Sequence, residues 1–158
     1  MTHRFIIDTH ALRYLSNAAG SNLAFFEPLT DLVDAHRLSF PHAVVKDCKK
    51  FCRDETLWVW VNVAEKLRVN NGDVKQSYTE QVLDKCLNLF DEDDLSEDQA
   101  PVRAAAMGLH FQDLYGADNV TVVTEDRLDH PLRMNLPAAC KVLGLATFSA
   151  TEFLAELT

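Results

Sequence analysis

The sequence predicts an α/β fold built on a mostly parallel sheet. The segments "RFIID" (4–8) and "NVTVVT" (119–124) are apolar at successive positions, as strands covered on both faces are. Between and after them lie segments with apolar residues at helical spacing, so strands and helices alternate along the chain. A length of 158 residues suits one domain, 1–158, with a hydrophobic core of its own.

Each element has its own signal. After "RFIID", "THALRYLSNAAG" reads as a short helix ending near Gly20. Leu29, Leu32, Val33 and Ala35 space "EPLTDLVDAHR" as a helix, and "RLSF" follows as a short strand. Pro41 suits the first turn of a helix running through "PHAVVKDCKKFC". "DETLWVWVNVAEKL" alternates like a strand, but its length and flanks favour a helix. "VNNGD" is a turn, after which Val74, Tyr78, Val82, Leu83, Cys86, Leu87 and Phe90 predict one amphipathic helix over "VKQSYTEQVLDKCLNLF". The acidic run "DEDDLSED" reads as a solvated linker. It has no glycine at the sixth position and no acid closing a twelve-residue calcium loop. Pro101 fixes the start of the helix "QAPVRAAAMGLHFQDLYG" close to Asp98. Beyond "NVTVVT", a loop "EDRLDHPLRMN" leads to a helix "LPAACKVLG", a strand "LATF" and a closing helix "SATEFLAEL".

Composition narrows the function classes. No apolar run approaches the ~18 residues that span a bilayer, so no membrane partner is expected. "MTHRFIIDTH" lacks the long apolar region of a signal peptide, and a cytoplasmic location is expected. Cys48, Cys52, Cys86 and Cys140 form no disulfide framework and no zinc spacing, and read as reduced core thiols. The net charge of −9 argues against bulk electrostatic binding of nucleic acid. It leaves room for a local basic stripe and for carboxylates gathered round a cation.

Four acids stand where packing does not call for them. Asp8 ends the first strand and Asp126 follows the second, both at the carboxyl edge where open parallel sheets bind ligands. Asp47 lies on the buried edge of the Val44, Cys48, Phe51 stripe, where a helix interior offers it no backbone donor. Asp98, with Glu97 as a lesser candidate in the same run, opens the alanine-rich helix. Singly, Asp8 and Asp98 also read as helix caps and Asp126 as a turn residue. Jointly they point to a hard divalent cation, Mg²⁺ or Mn²⁺. Lys46, Lys49, Lys50 and Arg53 fall on one face of the Asp47 helix, which reads either as a solvated face or as a guide for a phosphate backbone.

These residues carry a resemblance. "FIIDTHALRYL" resembles the opening motif of PIN-domain proteins, the VapC-like ribonuclease toxins among them, and "VTVVTEDRL" resembles their last motif. The stretch "VVTEDRLDHPLRMNLPAACKVLGLATFSATEFLAEL" is similar to an uncharacterised PIN-like group. The resemblance implies a three-layer α/β/α fold with a central sheet of four or five strands. It implies a Mg²⁺- or Mn²⁺-dependent ribonuclease, with Asp8, Asp47, Asp98 and Asp126 as metal-holding catalytic acids and Thr9 and Thr124 as orienting hydroxyls behind them. His10 reads as packing or support. An RNA substrate, a small antitoxin covering the acidic cleft, and a homodimer are the implied partners. The sequence departs from the family pattern at Asp47, where Glu is usual, at Pro101 and Arg103, and at Glu125, a second acid beside Asp126. Those departures keep a second reading open: a PIN-like module that has lost activity and binds another protein. A phosphoacceptor of the response-regulator kind would need an acid pair before the first strand and a later strand-end lysine, and both are missing.

Overall fold

The computed structural model describes residues 2–20, 22–53, 55–68, 74–91, 99–126 and 133–157. Its strands are β1 (Arg4–Ile7), β2 (Leu38–Ser39), β3 (Val120–Val123) and β4 (Ala146–Phe148). All are parallel, in the spatial order β2-β1-β3-β4. The helices among the described residues are α1 (Thr9–Ala19), α2 (Glu27–Asp34), α3 (His42–Phe51), α4 (Thr56–Ala64), α5 (Gln76–Lys85), α6 (Ala100–Tyr115), α7 (Leu136–Leu143) and α8 (Ala150–Leu157). None of them is long and apolar enough to cross a membrane.

Successive strand residues point to opposite faces, and β1 uses this to divide the core. Phe5 and Ile7 pack with residues of α1, α2, α3, α4 and α8, among them Leu12, Val33, Val44 and Phe153. Ile6, between them, packs with α5, α6 and α7 through Val82, Met107 and Cys140. The result is the three-layer α/β/α arrangement, with β1 covered on both sides, as its unbroken apolar run requires. Gly108 lets α6 sit close on the sheet, since a Cβ there would come within 2.9 Å of Leu145 Cδ1 and 3.3 Å of Val122 Cγ2.

The ambiguous "LWVWVNV" segment is helical. Leu57, Trp60, Val61 and Ala64 face the core at helical spacing, and Trp60 stacks on Phe26 at 5.3 Å while its indole N–H donates to Thr30 Oγ1 at 2.9 Å. The single helix expected over 74–90 is instead broken. α5 stops at Cys86, whose φ of −134° is not helical, and a 3₁₀ turn spans Leu87–Leu89. The break rotates Leu87 outward, 66% exposed, and puts Leu89 in the core. It also lets the Asn88 carbonyl accept from Met134 N–H at 2.8 Å, docking this corner on the entry to α7. All four cysteines are buried and unpaired, as expected of core thiols, and burial pushes the Cys140 thiol up to about 12. The turn "VNNGD" (69–73) and most of "DEDDLSED" (91–98) lie outside the described residues.

Ile6 is the residue on which the two-sided burial of β1 is most directly tested, being wholly inaccessible. Ile6→Ala is expected to lower the unfolding free energy by about 2–5 kcal/mol in denaturant titrations. A change below about 0.5 kcal/mol would show that β1 is not packed on both faces.

Candidate active site

The chain leaves β1 towards β2 on one side and leaves β3 towards β4 on the other. Adjacent strands whose connections diverge in this way open a crevice at their carboxyl ends. Asp8 is the first residue past β1 and Thr124 the first past β3. The ladder continues through both, with Asp8 N–H donating to Val123 O at 3.1 Å and Thr124 N–H to Phe148 O at 3.0 Å.

Asp8 is 1% exposed and performs both of the roles its position suggests. Oδ1 accepts from Ala11 N–H at 2.8 Å, which makes Asp8 the N-cap of α1. Oδ2 accepts the hydroxyl proton of Thr124. Thr124, itself fully buried, also accepts from Asp126 N–H at 3.0 Å, so one hydroxyl joins the two strand-end acids. Burial drives the Asp8 carboxyl up to about 6. The Thr124 and Ala11 hydrogen bonds and the His10 charge pull it down, and the Asp126 charge adds to the rise. Among the described residues no cationic side chain is in contact with Asp8. His10 is exposed, so its effect on the site is through charge, not packing.

Asp126 is equally buried, at 2% exposed, and electrostatically opposite. Arg133 grips it with two hydrogen bonds, Nη1 to Oδ2 and Nη2 to Oδ1, both 2.9 Å. Leu136 N–H donates to Oδ2 at 2.9 Å as well. Burial alone would push this carboxyl up. The Arg133 hydrogen bonds, then Leu136 and the guanidinium charge, outweigh it and hold the group below the usual carboxylate range. As placed, Asp126 is the partner of Arg133 in a buried ion pair.

The other candidates are distributed around this pair. Thr9, at the first position of α1, donates its hydroxyl to Asp47 Oδ2 at 3.0 Å, bringing half-buried Asp47 of α3 alongside the Asp8 loop. Glu125 serves the fold, its Oε1 accepting from Ala150 N–H at 2.7 Å at the start of α8. Asp98 and Glu97 lie outside the described residues. The next residue, Gln99, is the N-cap of α6, and its amide exchanges two 2.7 Å hydrogen bonds with the Asp91 backbone. Pro101 fits the first turn of that helix, and Arg103 donates to Thr79 Oγ1 at 3.1 Å, so neither breaks its register. Lys46, Lys49, Lys50 and Arg53 are all exposed, on α3 and just beyond it.

Arg133 is the site residue that the sequence does not announce. It sits in a polar stretch of sequence seven positions after Asp126, with nothing in its spacing to mark a partner. Among the described residues, no three His, Cys, Asp or Glu side chains meet to form a metal cage. The donor chemistry around Asp8, with carboxylate and hydroxyl oxygens and no cation in contact, fits a hard divalent ion. That around Asp126 is already satisfied by Arg133.

The raised Asp8 pKa has a stability consequence with a definite sign. A carboxyl that titrates near 6 when folded and near 3.8 when unfolded binds its proton more tightly in the native state. Its contribution is full below pH ~4 and is lost as pH rises to about 6, at a cost on the order of 2–3 kcal/mol above that. Asp8→Asn keeps the acceptor for Ala11 and can donate to Thr124 in place of the proton it receives. In chelator, the variant is expected to gain stability over the wild type as pH rises from 4 to 7. A difference that stays flat over that range would mean that Asp8 carries no desolvation cost.

In comparisons with known proteins, no family model, no curated protein and no solved structure matches the chain.

Proposed function

We propose that this chain is a metal-dependent ribonuclease of the PIN type, hydrolysing RNA phosphodiesters at the crevice between β1 and β3. One observation carries the reading: a buried carboxylate, Asp8, stands at the sheet's switch point with no cationic partner in contact among the described residues. A fold retains such a group at a cost unless something positive is meant to meet it.

In this reading Asp8 and Asp47 hold Mg²⁺ or Mn²⁺, with Asp98, outside the described residues, as a further acid. The ion, when bound, lowers the pKa of a water and neutralises charge on the phosphate. The chain's own groups do the positioning. Thr124 fixes the Asp8 carboxylate by its hydroxyl, Ala11 N–H fixes the other oxygen, and Thr9 orients Asp47. Asp126 acts from behind, its backbone N–H setting the lone pair of Thr124 and its carboxylate holding Arg133. The further expectations belong to the same proposal. They are a cytoplasmic toxin of a toxin–antitoxin pair, a small antitoxin that covers the acidic crevice with an Arg or Lys, and a homodimer.

A second reading has an observation of its own. The Arg133–Asp126 pair closes one of the four acids to a metal, which favours a PIN-like module that binds a protein partner and no longer cleaves RNA. Calorimetry with Mn²⁺ separates the two. Binding by the wild type that vanishes in Asp8→Ala supports the nuclease, and no binding by the wild type supports the module.

Two outcomes are expected for activity. Asp8→Asn abolishes Mg²⁺-dependent RNA cleavage while its far-ultraviolet circular dichroism stays native, and undiminished cleavage by that variant would remove the nuclease reading. Thr124→Val, which takes away an orienting hydroxyl but no charge, lowers metal affinity or turnover about 10–100-fold. Metal affinity and turnover within twofold of the wild type would deny Thr124 that role.

A further inference from the structure

We infer that the Arg133 guanidinium is a built-in cation standing in a second metal position, so that the crevice takes one divalent ion, at Asp8 and Asp47. The inference rests on the metal-dependent reading of the site and fixes how many ions that site accepts.

The oxygens around Arg133 carry it. Nη1 donates to Asp126 Oδ2 and to the Met134 carbonyl, and Nη2 donates to Asp126 Oδ1, all at 2.9 Å. Two carboxylate oxygens and one carbonyl oxygen therefore converge on a single cationic group. Such hard oxygens are the ligands that Mg²⁺ and Mn²⁺ take, with water completing the shell. A guanidinium and a divalent ion cannot share them without placing two positive charges in contact.

The pair also stands where a second ion would count. Thr124 joins the two acids, its hydroxyl donating to Asp8 Oδ2 and accepting from Asp126 N–H at 3.0 Å. Among the described residues, Asp126 has a cation in contact and Asp8 has none. One cation position is thus filled by the chain itself, and its neighbour is left to an ion from solution. Arg133 is no loosely held surface charge that such an ion would displace. Its side chain is 10% exposed and that of Asp126 1%. The guanidinium grips the carboxylate bidentately, the geometry in which the two groups match best. Leu136 N–H fixes the same carboxylate from the start of α7. A single fixed charge also repels an ion at Asp8 less than a second divalent ion would.

Calorimetry with Mn²⁺ alone counts the ions. The wild type is expected to bind one, and Arg133→Gln, which removes the cation and keeps a polar side chain, two. Breaking a buried pair lowers stability, so in EDTA the Tm of the variant should fall by roughly 6–20 °C. Mn²⁺ at about 100 times its Kd should return roughly 5–10 °C to the variant beyond what it adds to the wild type. The double variant Asp126→Asn, Arg133→Gln leaves neither charge of the pair behind, and it decides the matter if the single variant does not fold. It should bind one Mn²⁺. A double variant that binds none overturns the inference, since Asp126 would then be a ligand in the wild type. Two ions on the wild type overturn it as well. One ion on the wild type with no gain in Arg133→Gln overturns it and leaves the nuclease reading standing. An ion on Arg133→Gln and none on the wild type retires the nuclease reading and leaves Arg133 as the cation of the Asp126 position. No ion on either protein removes both.

Discussion

The hydroxyl of Thr124 is the constraint from which the rest of the candidate site takes its form. It donates to Asp8 and accepts from the Asp126 backbone, so the ends of β1 and β3 are joined by one fully buried side chain. A hydroxyl is the smallest group able to donate and accept at once, and here both capacities are used. Valine has the same shape and neither capacity. It would leave a buried carboxylate and a buried N–H each short of a partner, which costs more than the hydrogen bonds themselves contribute.

That bridge separates two acids that would otherwise be equivalent. Both follow a strand, both are buried, and they repel one another. The fold resolves the repulsion by giving the only contacting guanidinium among the described residues to Asp126. Among the described residues Asp8 is left with neutral donors, one backbone amide and one hydroxyl. The Asp126 pair is worth keeping for the architecture alone. It ties the segment after β3 to the first residue of α7, because Leu136 N–H shares the same carboxylate. Asp8 has no comparable structural return, since an asparagine caps a helix about as well as an aspartate does. Its negative charge is therefore the part of the site that the fold does not explain.

Much of this was legible in the sequence, for physical reasons. Apolar runs of the β1 and β3 kind have few alternatives, and their placement at either end of a helical series already implied parallel pairing. The strand-end positions of Asp8 and Asp126 followed from the same runs. The Leu57, Trp60, Val61, Ala64 stripe decided between helix and strand once burial was seen, and periodicity alone could not, because Val59 and Val63 are apolar and exposed. The break at Cys86 was hidden for a similar reason. Residues 74–90 keep helical spacing throughout, and only docking against α7 makes a turn there better than another turn of helix. Arg133 was hidden because a partner that lies in no helix or strand leaves no period to read.

The same distinction governs the charge of the whole chain. A net charge of −9 excludes a surface that attracts polyanions everywhere, yet attraction over a Debye length of about 8 Å depends on local groups, not on the sum. On α3 the basic residues lie on the side away from Val44 and Cys48, while Asp47 sits at the border between the two. One helix thus offers a carboxylate to the crevice and cations to the solvent a turn later. For the proposed function, this edge is the approach that repels a polyanion least. Under the proposed function, that confines the substrate's path to the side on which Thr9, the residue after Asp8, bonds Asp47.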